Sequence, residues 1–84
     1  MDIHRSARRH GIGDADIHHA LAHVAAERDV GDDDSPRRAL VLGPDRAGNM
    51  LELVILVFDD DRRMVIHAMP MRARYRALLP KEVR

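Results

Sequence analysis

The sequence predicts a small α+β domain: an N-terminal helical region, then a three-stranded antiparallel meander, then a short C-terminal helix. Two observations predict it. Apolar residues recur at helical spacing after Asp14, and three strand-length apolar runs follow, separated by short turn-forming segments. The 84 residues amount to a single domain spanning 1–84. A domain this small buries only roughly 60–65% of its unfolded surface. A partner chain covering apolar surface would therefore add much to its stability.

Met1–Gly13 reads as a short helix or turn that ends at a Gly-flanked loop. Asp14 suits an N-cap, because its carboxylate can accept from the first free N–H groups of a helix. Ile17, Leu21, Val24 and Ala25 then fall at i, i+4, i+7 and i+8, with Ala20 widening the stripe, and predict a helix from Ala15 to about Arg28. Val30–Pro36, with Gly31, the acidic run Asp32–Asp34 and Ser35-Pro36, is a loop. Arg38–Gly43 is the first strand and Gly43–Asn49 a turn. Met50–Phe58 is the second and longest strand. Asp59–Arg62 turns the chain into the third strand, Arg63–Met69, which Pro70 ends because it has no N–H for a ladder. Met71–Leu79 forms a last short helix before Pro80.

The near-continuous apolar run of the second strand implies that both its faces are covered. The helix would cover one face, and the tail at 71–79 or a partner protein the other. Alternation along the third strand puts Met64, Ile66 and Ala68 on one face and Val65, His67 and Met69 on the other.

Composition removes several function classes. No Cys is present, which excludes disulfides, thiolate zinc sites and a cysteine nucleophile, and fits a reducing cytoplasm. No apolar run reaches the length of a membrane span, and the N-terminus lacks the apolar core of a secretory signal. The expectation is a cytoplasmic protein. Net charge is zero but unevenly spread: residues 1–10 carry +2, 11–34 carry −6, 35–61 carry −2 and 62–84 carry +6. Thirteen of the fourteen basic residues are Arg, which grips phosphate and carboxylate bidentately where Lys cannot. A GC-rich coding sequence gives the same bias.

Three short words in a fixed order resemble the BrnT-type toxins, RelE-like ribonucleases of toxin–antitoxin pairs. The first is Arg9-His10-Gly11-Ile12 ahead of an acidic helix start. The second is Arg38-Ala39-Leu40-Val41-Leu42-Gly43, then a Gly-containing turn and the apolar strand 50–58. The third is Met64-Val65-Ile66-His67-Ala68, followed by an Arg-rich tail with Tyr75. The likeness covers roughly residues 8–76. The family's Ser-Ala-Arg falls here on His67-Ala68-Met69, with Arg72 three residues further on in place of the arginine. The resemblance implies a RelE-like fold and RNA cleavage. It further implies a cognate DNA-binding antitoxin, held in a hetero-oligomer.

Metal-free RNA cleavage needs a base for the ribose 2′-hydroxyl, an acid for the leaving 5′-oxygen and cations around the phosphorus. Histidine suits the proton transfers, Arg the charge, and Tyr stacking or hydrogen bonding. These types gather near the C-terminus. The expected catalytic residues are His67, Arg72 and Tyr75, and the expected RNA contacts His10, Arg38, Arg74 and Arg76. No metal or other cofactor is called for. The bland readings are a histidine satisfied by backbone, a loop histidine at 10, a solvated strand end at 38 and a solvated basic tail. Arg46, in a turn, would be a peripheral phosphate contact at best.

His19 and His23 share a helix face with His18 nearby, but HxxxH without a following Glu or a Cys is weak as a metal motif. Asp32–Asp34 lacks the offsets of a calcium loop, Asp59–Asp61 reads as a turn, and Gly11-x-Gly13 is no dinucleotide fingerprint. The rival function is a non-catalytic protein- or nucleic-acid-binding module. The near absence of aromatic stacking residues, one Tyr and one Phe, favours it.

Overall fold

The computed structural model describes residues 1–31 and 36–82, so the expected acidic loop at Asp32–Asp34 lies outside the described residues. The elements are β1 (Asp2–Ile3), a first 3-10 helix (Arg5–Arg8), α1 (Asp14–Ala22), β2 (Ala26–Asp29), β3 (Arg37–Pro44), β4 (Met50–Val57), β5 (Arg63–Pro70) and a second 3-10 helix (Ala73–Leu78). The described strands form one mixed sheet in the order β1-β5-β4-β3-β2. β1 runs parallel to β5, and every other neighbouring pair is antiparallel. The expected architecture is therefore overturned. The sheet has five strands rather than three, most of the regular structure is sheet, and the C-terminal segment is a 3-10 helix.

The two unforeseen strands lie on the two sheet edges. The expected helix from Ala15 to Arg28 stops at Ala22, and residues 26–29 pair with Leu42–Ala39 instead. The chain leaves the helix at His23, and the Ala25 N–H donates to the Leu42 carbonyl at 2.8 Å. Helical propensity in this stretch is worth only tenths of a kcal/mol per residue. Leaving the edge of β3 unpaired would strand several polar backbone groups beside a buried surface, and that outweighs propensity. The stripe is correspondingly shorter than expected: Ile17 and Ala20 are fully buried, while Val24 is 46% exposed. Gly13, not Asp14, caps the helix, and no side chain bonds at the cap. Asp14 instead sits in the first turn and takes both Nε and Nη2 of Arg8, at 2.9 and 2.8 Å.

On the opposite edge, β1 pairs with Met64 and Val65, and the chain then turns into the first 3-10 helix. The His4 N–H donates to the Val65 carbonyl at 2.9 Å and Ser6 Oγ to the Ile66 carbonyl at 2.7 Å. The N-terminal segment so satisfies backbone groups of β5 just past the end of the short β1.

One face of the sheet is covered by α1 and the first 3-10 helix. Its core joins Ala7, Ile17 and Ala20 to Val41, Leu51, Leu53, Ile55, Val65 and Ala68. The other face gathers Leu40, Leu42 and Leu79, with Met50, Val54, Met71, Tyr75 and Leu78 packed against them. The tail thus covers the second face of β3 and β4. α1 comes so close to β3 that a Cβ at Gly43 would collide with the backbone carbonyl of Ala20, so only glycine fits there.

The β3–β4 and β4–β5 hairpins each use a three-residue loop. In one, the Asp45 N–H bonds the Asn49 carbonyl and Gly48 takes φ +90°. In the other, the Phe58 N–H bonds the Arg62 carbonyl and Asp61 takes φ +67°. Each joins a tight turn to one left-handed residue, a pattern that matches the twist of the flanking strands. Asp45 Oδ1 further accepts the N–H groups of Ala47 and Asn49.

The register of β5 against β4 shifts between Val54 and Ile55: Val54 faces His67, and Ile55 faces Val65, leaving Ile66 as the extra residue of a bulge. The expected alternation fails at that point. Val65 and Ala68 both lie in the helix-side core, while His67 joins Val54 and Glu52 on the other face. Among the described residues, no helix is long and apolar enough to cross a membrane.

Two substitutions test this packing. Gly43→Ala should destabilise by about 1–3 kcal/mol through overpacking. Leu53→Ala, which empties a fully buried site, should cost about 2–5 kcal/mol. Urea titration followed by circular dichroism measures both, and a Gly43→Ala protein as stable as the parent would contradict the close approach of α1 to β3.

Candidate functional site

Glu52 sits in the middle of β4 and is 1% exposed. An unpaired carboxylate there would cost several kcal/mol. Four donors remove that cost. The Arg72 backbone N–H and Nε donate to Oε1 at 2.9 and 3.0 Å, Arg72 Nη2 donates to Oε2 at 2.8 Å, and His67 Nε2 donates to Oε2 at 3.1 Å. The guanidinium therefore meets the carboxylate as a two-pronged fork, the strongest geometry for this pair.

Local sequence brings Arg72 there. Pro70 closes β5, the Met71 N–H donates to the Met50 carbonyl at 2.9 Å, and Arg72 takes an extended conformation (φ −80°, ψ 150°) as the cap of the second 3-10 helix. Its backbone N–H and its side chain thus reach the same carboxylate. The bulge at Ile66 turns His67 to the same face. Burial by itself would push the Glu52 carboxyl up. The hydrogen bonds from the Arg72 side chain and backbone and from His67, with the guanidinium charge, reverse this and hold it below the ordinary glutamate range. Its fork onto Glu52 raises Arg72 in turn.

Three further expected residues join the cluster. The His10 ring meets the His67 ring edge-on, with centroids 5.7 Å apart and planes at 76°. The Tyr75 ring lies 5.7 Å from the Arg72 Cζ and 5.0 Å from the Arg74 Cζ, within cation–π range of both. His10, His67, Arg72, Arg74 and Tyr75, drawn from three separate segments, thus belong to one chain of contacts that His67 and Arg72 anchor on Glu52. Arg38 does not join it. Arg38 pairs with Leu56 and Leu42 with Glu52, so Arg38 lies four register positions away, about 13 Å along the strand. Arg76 is exposed on the second 3-10 helix, and its carbonyl accepts the Leu79 N–H. Arg46 is engaged by Asp16 through its Nε at 2.9 Å.

Glu52 is the residue that sequence reading missed. Its signal is a single acid inside the apolar run Met50–Val57. A charge in a strand covered on both faces needs a partner, and Arg72, just past the end of the next strand, supplies it.

His19 and His23 are otherwise occupied. His19 Nδ1 donates to the Pro44 carbonyl and His23 Nδ1 to the His19 carbonyl, both at 2.9 Å, and the rings stack 4.2 Å apart. Among the described residues, no group of three or more His, Cys, Asp or Glu is placed to hold a metal ion. Comparison with protein-family models, curated proteins and solved structures finds no match for the chain.

The buried pair sets a sign for stability. Because the Glu52 carboxyl is held low in the folded state, it contributes stability above the unfolded glutamate value of about 4.3. That contribution is lost as the pH falls through the lower folded value. The stability gap between the parent and Glu52→Gln should therefore narrow in urea titrations as the pH falls below about 4.3. A gap independent of pH over that range would contradict the arrangement. At neutral pH, Arg72→Met should melt lower than the Glu52→Met/Arg72→Met double variant, because the single change strands a buried charge.

Proposed function

We propose that the chain is a metal-independent endoribonuclease, the toxin of a toxin–antitoxin pair. The observation that carries this reading is the chain of contacts that joins His10, His67, Arg72, Tyr75 and Arg74 and is anchored by His67 and Arg72 on one buried carboxylate. The group holds the parts that RNA cleavage requires. An imidazole anchored at one nitrogen can exchange protons, fixed guanidinium groups can meet a phosphate, and an aromatic ring can stack on a base. The side chains of His67 and Arg72 are 26% and 45% exposed, so both reach solvent. The likeness of three sequence words to the BrnT-type toxins points the same way, and the proposal rests on those residues rather than on a shared architecture.

The toxin reading brings a partner with it. A DNA-binding antitoxin in a hetero-oligomer would cover the same basic surface that RNA uses, and both would work in the cytoplasm. The +6 charge of residues 62–84 suits either an RNA backbone or an acidic segment of that partner.

One observation favours the rival, a non-catalytic binding module. Glu52 takes both Nε and Nη2 of Arg72, which neutralises the guanidinium nearest His67. The two readings separate in one experiment. A toxin should arrest growth when induced alone, and His67→Ala or Arg72→Ala should relieve the arrest while the protein stays folded. Soluble, folded parent protein that neither arrests growth nor cleaves RNA, yet binds RNA in a salt-dependent way, would establish the binding module instead.

A further inference from the structure

We propose that His10 and His67 work as a pair on one phosphodiester, with Nδ1 of His67 as a working nitrogen and Glu52 as its positioning residue. This inference rests on the ribonuclease reading and adds a second catalytic imidazole and a tautomer to it. Three observations carry it.

The first is the tautomer. The Glu52 carboxylate only accepts, so the 3.1 Å contact places a proton on His67 Nε2. In the neutral ring, Nδ1 is then the acceptor. The second is access. Among the described residues, no buried side-chain nitrogen or oxygen lacks a hydrogen-bond partner. Among those residues Nδ1 meets no hydrogen-bond partner, so it reaches solvent, on a side chain that is 26% exposed. The third is the neighbour. The exposed His10 ring stands edge-on to the His67 ring with centroids 5.7 Å apart, so the two imidazoles border one patch of surface. Other groups facing the pair are Glu52 from β4 and Arg72, and Tyr75 lies beyond Arg72.

The chemistry balances without a co-reactant. One imidazole takes the ribose 2′-hydroxyl proton, and the 2′-oxygen forms a bond to phosphorus. The bond from phosphorus to the 5′-oxygen breaks, and the other imidazolium protonates that oxygen. The products are a 2′,3′-cyclic phosphate and a 5′-hydroxyl, and the two rings have exchanged protonation states. Glu52 stays ionised throughout, and among the described residues its carboxylate hydrogen-bonds His67 and Arg72. It differs from an ordinary buried acid in having a ring with one free nitrogen as its neighbour.

The test uses the full chain, a short RNA and the same oligomer with a 2′-deoxyribose at the cleaved position, all in excess chelator. The parent should cleave the RNA to cyclic-phosphate and 5′-hydroxyl ends and leave the deoxy-substituted oligomer intact. His10→Ala and His67→Gln should each lose about 10²–10⁴-fold in rate. Gln at 67 keeps an N–H donor for Glu52, so that variant separates catalysis from folding. The double variant should lose little more than either single one, because paired groups fail together. Nitrogen-15 spectra of the ring should show His67 as the Nε2–H tautomer in the parent and a mixture in Glu52→Gln. If the parent cleaves RNA but His10→Ala matches its rate, or if His67 carries its proton on Nδ1, the paired mechanism is overturned while the ribonuclease reading stands. If the folded parent cleaves no RNA, both fall together.

Discussion

A single carboxylate buried in the central strand constrains the whole second face of this sheet. Glu52 is sealed from water and cannot remain there uncompensated, so Arg72 must cross the sheet to meet it with both backbone and side chain. That crossing lays the second 3-10 helix over Leu40 and Leu42. The magnitudes separate two jobs. A buried ion pair is close to neutral in net stability once desolvation is counted. Each fully buried Leu gives roughly 1.5–3 kcal/mol. Leu40, Leu42 and Leu79 therefore hold the tail down, and the ion pair decides where it lies.

The bulge at Ile66 does for His67 what the ion pair does for Arg72. Without it, Val65, His67 and Met69 would share a face, and either a valine would leave the core or the imidazole would enter it. The extra residue lets Val65 and Ala68 both pack under α1 while His67 turns toward Glu52. Ser6 secures the distortion by bonding the Ile66 carbonyl, so the N-terminal segment supports the geometry of the strand.

Much of the sheet centre was legible in the sequence, and the edges were not. The strands now numbered β3, β4 and β5 fall on the three apolar runs, and both turns carry the residues that their loops require. The edges failed for physical reasons. Ala26–Asp29 has helix-forming residues and no strand alternation, and only the unpaired edge of β3 recruits it. β1 is two residues long, below any periodic signal, and exists only where β5 offers a template. The site was legible by type rather than arrangement. His67, Arg72 and Tyr75 stand out as residues near the C-terminus, but their convergence depends on Glu52 and on the bulge, which no local pattern announces. Arg38 and Arg76 show the limit, since basic character alone did not bring them to the cluster.

The parallel pairing of β1 with β5 ties residues 2 and 3 to residues 64 and 65 across most of the chain. Contacts of such wide sequence separation carry the largest loop-closure entropy and form late in folding. During synthesis, which proceeds from the N-terminus, residues 2–10 must therefore wait for β5 to emerge before they can dock. The two histidine rings consequently meet only after β5 has left the ribosome, so a nascent polypeptide that stops short of β5 lacks the assembled cluster.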